Sequence, residues 1–240
     1  MTTGQASRHR AVIAVAVAVG AVGFTTTAVT VGTRGMAQEL SLTTVELGWV
    51  VNAYLVTAAA LVLVGGRLGD VIGRVRTFAL GLGVFAVGSA IGIAAQGFVL
   101  LVMARVGQGI GAALILPSSI ELIAQFSPEG REGSGFRWRS LVYACSFAVG
   151  PLVGGVLTDW YSWRWVFVVD TVLVAAAALV ALPLRNRPGR GTHSPTRDFA
   201  GAALIAVVVA AFVLLAERLA TWTLGSVRSI ATLVDRKSVV

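Results

Sequence analysis

The sequence predicts an all-α polytopic membrane protein, and three observations carry that expectation. Hydrophobic residues make up 56% of the 240-residue chain and charged residues only 12%, against roughly 25% charged in soluble domains. Apolar runs that approach or reach the roughly 20 residues needed to cross about 30 Å of hydrocarbon recur seven times. Mean hydropathy is +0.84. The arginines gather in alternate connections between these runs. Cys145 is the single cysteine, which excludes an intrachain disulfide and a multi-cysteine zinc site. No metal site and no cofactor are expected. The net charge of +8 does not signal nucleic acid as a partner, because the basic residues lie between apolar runs and form no continuous phosphate-binding face.

The expected spans are residues 11–31, 48–65, 77–95, 98–123, 140–158, 165–182 and 199–215. Arg8, His9 and Arg10 precede the first run as they would in a signal peptide, but six further spans favour a retained first helix. Cytoplasmic loops hold the excess of basic residues. Arg8, Arg10, Arg67, Arg74, Arg76, Arg131, Arg137, Arg139, Arg185, Arg187, Arg190 and Arg197 fall on one side, and only Arg34, Arg164, Arg218 and Arg228 on the other. The N-terminus is therefore predicted to be cytoplasmic in a multi-pass plasma-membrane protein. The tryptophans agree, since indole rings favour the bilayer interface. Trp49, Trp160, Trp163, Trp165 and Trp222 fall at outer span ends and Trp138 at an inner one.

Of the 28 glycines, several are spaced four apart inside apolar runs: Gly88 and Gly92, Gly107 and Gly111, Gly150 and Gly154. Such pairs let helix backbones approach closely. The GQGIG string at residues 107–111 has no strand before it, so helix packing is a better reading than a dinucleotide loop.

Four motifs carry the functional reading. GRLGDVIGRVR at residues 66–76 is a short turn between spans two and three, with Asp70 among three arginines. Physical chemistry alone makes it a solvated turn in which Asp70 offsets positive charge. In LVMARVGQGIGAA, residues 101–113, Arg105 lies about 10 Å inside its helix. A charge at that depth faces a cavity or an acid, or else is satisfied by backbone carbonyls. In GPLVGG, residues 150–155, Pro151 lacks an N–H and obstructs the Phe147 carbonyl, so the helix can bend there. WRWVF occupies residues 163–167.

These four strings, in this order and at these positions, resemble the motifs of the major facilitator superfamily, and of its fourteen-helix drug:proton antiporter group in particular. The resemblance implies a major facilitator-type N-terminal six-helix bundle plus about one further transmembrane helix. It assigns Gly66, Asp70, Gly73 and Arg74 to a gating loop in which the acid engages a second bundle. It matches Arg105, Gln108, Gly109 and Gly111 to the fourth-helix motif, and Gly150, Pro151, Gly154 and Gly155 to the fifth-helix antiporter motif, a gasket against leakage. By position, Thr25, Thr26, Arg105 and Gln108 would line the cavity on helices one and four.

The sequence departs from the group at two places. Where the group's first helix has an acid, this chain has Thr25, which cannot titrate near neutrality. Where the sixth helix tends to have Asn, this chain has Asp170, about 7.5 Å below the outer interface and close in depth to Arg105. Asp170 is therefore expected to compensate Arg105 and to be a protonatable group.

The domains read as a six-helix transport bundle at 1–184, a cytoplasmic loop at 185–198, a seventh helix at 199–218, the start of a truncated remainder at 219–234 and a non-native tail at 235–240. The tail, DRKSVV, holds the lone Lys237 and matches the translation of a common sequencing-adapter end. Transporters of this kind need two facing bundles, so the expected partners are a small-molecule substrate, protons, the lipid bilayer and a missing C-terminal bundle. The expected function is proton-coupled efflux of small amphipathic or cationic compounds by alternating access. The alternatives are a metabolite or sugar carrier of the same superfamily, or an inactive truncated piece. No nucleophile and base pair or phosphate loop points to an enzyme.

Overall fold

A computed structural model of the chain describes residues 3–126 and 132–184, together with helical backbone at Gly201, Leu204, Val207, Val208, Ala211 and Leu215. The expected loop at 185–198, most of the expected seventh helix and everything beyond 215 lie outside the described residues. Six helices run in sequence: α1 (Thr3–Leu40), α2 (Thr44–Ile72), α3 (Arg74–Ile93), α4 (Phe98–Phe126), α5 (Glu132–Trp160) and α6 (Arg164–Ala181), the last closed by a 3-10 turn at Leu182–Leu184. Each is long and apolar enough to span a bilayer, and no strand occurs among the described residues. The chain is an all-α, multi-pass membrane protein.

Most helices overrun the apolar windows, because backbone hydrogen bonding continues past the hydrocarbon boundary until a cap or a glycine ends it. α2 starts four residues before its apolar run. Thr43 caps it, its hydroxyl accepting from the Glu46 amide at 3.3 Å while Glu46 accepts from the Thr43 amide at 2.8 Å. This reciprocal T-x-x-E capping box is legible in the sequence. The largest correction concerns residues 66–76. The expected turn is almost entirely helical, and the chain reverses at Gly73 alone, at φ +93°. Only glycine adopts that conformation without strain.

α1 and α4 are the inner helices, with 61% and 56% of their apolar windows buried, whereas α5 has only 11%. α4 packs on α3 and α2, α1 on α5 and α6, and α3 on α6. Glycine sets how closely they pack. A methyl group on Gly111 would come within 2.6 Å of the Phe85 Cβ and 2.7 Å of its backbone nitrogen, and one on Gly88 within 2.6 Å of the Gln108 amide nitrogen. Substituting either would force α3 and α4 apart.

Among the described residues two prolines lie inside helices, and each frees a carbonyl one turn earlier. Pro117 removes the donor to Ala113, whose carbonyl lies so close to Gly65 of α2 that a side chain there would collide with it. Pro151 removes the donor to Phe147, and Thr27 of α1 donates to that carbonyl instead at 3.2 Å.

Two apolar clusters are stacked along the bundle. One contains Val22, Tyr54, Phe85, Ala112 and Val174, and the other Phe24, Ala28, Val50, Leu101 and Phe167. On α3, α4 and α6 buried polar residues lie between these registers, namely Ser89, Arg105, Gln108 and Asp170, and Thr25 joins them from α1. This layer is the candidate site.

Candidate functional site

All five of these side chains are fully buried. Arg105 comes from α4, one turn before Gln108, so the two share a helix face. The Arg105 Nη1 donates to Gln108 Oε1 at 2.7 Å and to Thr25 Oγ1 at 3.2 Å, and its Nε donates to the Val50 carbonyl of α2 at 3.2 Å. The guanidinium carbon lies 4.3 Å from the centre of the Tyr54 ring, a cation–π contact. Arg105 Nη2 has no hydrogen-bond partner.

Gln108 links the cation to the acid. Its Nε2 donates to Asp170 Oδ2 at 3.0 Å and to Ser89 Oγ at 2.9 Å, while its Oε1 accepts from Arg105. Every polar capacity of the amide nitrogen is used. Asp170 also borders Thr25, and its Oδ1 has no hydrogen-bond partner. Arg105 and Asp170 make no direct ion pair, so the expected compensation runs through one amide and one hydroxyl. With Asp170 ionised the buried layer is neutral, which is the condition for burying charge without a prohibitive desolvation cost.

Thr26 turns away from this layer. It is half-buried and donates to the Val22 carbonyl at 2.7 Å, beside the Tyr54 hydroxyl. The sequence reading missed Ser89, Tyr54 and the Val50 carbonyl. A serine or tyrosine in an apolar run is too ordinary to flag, and a backbone acceptor leaves no signal in the residue type.

The other nominated residues lie elsewhere. Asp70, near the end of α2, pairs with Arg74, the first residue of α3, which also donates to the Gly66 carbonyl at 3.1 Å; Arg67 lies 3.9 Å from Asp70 on the other side. Gly73 supplies the reversal between Asp70 on α2 and Arg74 on α3. Gly150 and Gly154 of α5 face α1. A methyl on Gly150 would meet the Phe24 carbonyl at 3.0 Å, and one on Gly154 would meet the Ala28 Cα at 2.9 Å. Gly155 faces Val31 with more room, and Pro151 is exposed.

A third polar group lies at the end of the bundle opposite Asp70. Glu39 of α1 accepts from the Trp163 indole at 2.8 Å and pairs with Arg164, which also donates to the Ala95 carbonyl at 2.8 Å and covers the Trp163 ring at 4.2 Å. Trp163 is buried rather than presented to an interface, unlike the exposed Trp160 and Trp165. The group ties α6 to the end of α1 and to the connection between α3 and α4.

The chain matches the family described as Major Facilitator Superfamily over residues 13–234. It is 37% identical over 170 residues to the methylenomycin A resistance protein of Bacillus subtilis, covering 70% of this chain and 36% of that one. It is 34% identical over 178 residues to the lincomycin resistance protein of Streptomyces lincolnensis, covering 74% and 37%. It is 38% identical over 175 residues to the cephamycin export protein CmcT of Amycolatopsis lactamdurans, covering 69% and 35%. The matched segment thus spans little more than a third of these relatives. Among solved structures, the peptide transporter POT in complex with sulfate superposes with a TM-score of 0.66 at 17% identity, covering 90% of this chain and 46% of that one. An inward-facing bacterial homologue of the lysosomal transporter Spinster gives 0.62 at 19%, covering 80% and 44%. These structures share the fold of the six helices. With a family match running from the first helix to residue 234, the chain belongs to the Major Facilitator Superfamily of membrane transporters.

Proposed function

We propose that the transporter to which this chain belongs exports small amphipathic or cationic compounds, drugs among them, in exchange for protons by alternating access. The observation that carries this reading is the linkage of Arg105 to Asp170 inside one fully buried network. A proton-driven exporter needs an acid in the membrane core whose charge state alters helix contacts, and intramembrane acids of this kind mark proton pathways. Asp170 is such an acid, and it stands on α6 although α1 offers only Thr25. The resistance and export functions named for three relatives support efflux as the direction of transport.

In this reading the Asp70 end faces the cytoplasm of a plasma-membrane protein, with the N-terminus on the same side. Asp70 and Arg74 serve the inner gate against a second bundle, and the Gly150 to Gly155 face of α5 seals against α1. Thr25, Thr26, Arg105 and Gln108 stand on the helices that border the substrate path. The protein catalyses no covalent reaction.

The test is dye efflux from drug-hypersensitive bacteria expressing the complete reading frame. Efflux of a cationic amphipathic dye should stop on adding a protonophore, and Asp170→Asn should abolish its dependence on external pH. Thr25 in place of an acid favours a second reading, a metabolite or sugar carrier. Sugar uptake without dye efflux would establish that reading and overturn the first.

A further inference from the structure

We propose that Arg139, Tyr143 and Phe147 of α5 form a substrate subsite that takes amphipathic compounds bearing a carboxylate or another anionic group beside an aromatic body. The inference rests on the export reading and deepens it by naming the substrate class.

The three residues are spaced four apart, so they share one face of α5 and climb it in single file. All are half-buried. Arg139 stands lowest. Its Nε donates to Ser119 Oγ of α4 at 2.8 Å and its Nη2 to the Leu116 carbonyl at 3.4 Å, while Ser119 itself donates to that carbonyl at 2.6 Å. These bonds fix the guanidinium between α5 and α4 without exhausting it. Both hydrogens of Nη1 and one of Nη2 remain, and they form the edge that clasps a carboxylate with two parallel bonds. No acid pairs with Arg139. Among the described residues the ion pairs are those of Arg67 and Arg74 with Asp70 and of Arg164 with Glu39. Glu121 comes two residues after Ser119 and so points to another side of α4. Arg139 is thus a fixed positive charge without a counter-ion among these residues.

Tyr143 lies one turn deeper, about 6 Å along the axis, and its hydroxyl makes no hydrogen bond to a described residue. Its ring packs edge-on against Phe147, with centroids 4.9 Å apart at 76°. Unbonded N–H and O–H groups at membrane depth are costly against hydrocarbon and mark a water-filled path. The opposite side of α5 has what lipid requires, since Leu141, Ala144, Cys145, Ala148 and Leu152 are all exposed there. The polar file therefore faces the translocation path. It offers in order a cation, a phenol and an apolar ring. A ligand that matches it carries an anionic group roughly 6–12 Å from an apolar or aromatic ring. A cation without an acid group meets Arg139 as a like charge.

The experiment measures binding of three probes that share one fluorophore to the complete transporter, purified in detergent: dansylglycine, an acid; its methyl ester, which lacks the charge; and dansylcadaverine, a cation. Dansylglycine should bind about tenfold more tightly than either of the others. Arg139→Gln should bind acid and ester alike, its ester binding reporting that it is folded, and Arg139→Lys should recover part of the preference for the acid. Phe147→Ala should weaken acid and ester together, because the ring meets the body that both share. Equal affinity for acid and ester in the unsubstituted protein would overturn the subsite, as would a preference for the acid that persists in Arg139→Gln. Acid and ester lost in equal measure in both Arg139 variants would reduce Arg139 to a tie between α4 and α5 and overturn it too. Protonophore-sensitive efflux of a dye is measured alongside. Preference for the acid without any efflux would overturn the export reading and leave the subsite, whereas efflux without that preference would overturn the subsite alone.

Discussion

Thr27 of α1 donates a hydrogen bond of 3.2 Å to the carbonyl of Phe147 on α5, the acceptor that Pro151 leaves without its helical donor. Helix distortion and interhelical contact are here one feature. The bond a proline removes from one helix is replaced by a side chain of its neighbour, and Gly150 leaves the room for it. Thr27→Val should therefore destabilise the α1–α5 contact by about 0.6 kcal/mol, and by up to about 1.7, the range found for interhelical hydrogen bonds in membranes. Thermal unfolding in detergent measures this, and the loss should vanish in a Pro151→Ala background.

Gly111→Val should be more damaging, because the obstructing atoms belong to the Phe85 backbone. Overpacking of this kind costs about 1–3 kcal/mol. Gly83, which meets nothing within 4 Å, is the control and should accept alanine without loss of stability. Paired unfolding midpoints check both.

Arg105→Met removes the cation but leaves Asp170 buried, and losing one member of a buried charged network costs about 3–5 kcal/mol. The double variant Arg105→Met/Asp170→Asn should recover part of that loss. The expected coupling is about 0.5–3 kcal/mol, read from a four-variant unfolding cycle. Additive losses would mean that the Gln108 bridge transmits no energy between the two.

Asp70→Asn should cost only about 0.2–1 kcal/mol, since its partners Arg67 and Arg74 are partly exposed and such pairs contribute little. Transport by the complete protein is expected to fall much further than stability. Equal, small effects on both would identify Asp70 as a solvated turn residue.

The number and order of the six helices are legible in the sequence because apolar length and arginine asymmetry act over whole segments. So are Arg105 and Asp170, because charged groups inside an apolar run are costly and therefore conspicuous, whereas Thr25 and Gln108 are reached only through their positions in the motifs the sequence resembles. The helix ends are less legible. The turn expected across residues 66–76 is helix up to Ile72 and again from Arg74, because Gly66 and Gly69 keep a helical backbone and Gly73 alone takes a positive φ. Nor does the sequence reveal that Trp163 is buried, since its partners Glu39 and Arg164 are brought together only by the folded ends of α1 and α6.

The hydrogen-bond partners of Arg105 have a bearing on biogenesis. Thr25 and Val50 are synthesised before Arg105, and Gln108 follows three residues later. The guanidinium thus enters the bilayer with acceptors already present on α1 and α2. Asp170 arrives only with the last of the six helices, after the charge has been accommodated. A ribosome-bound chain ending just after α4 therefore already carries the acceptors that hold Arg105, and α6 adds last the acid that brings the buried layer to neutrality.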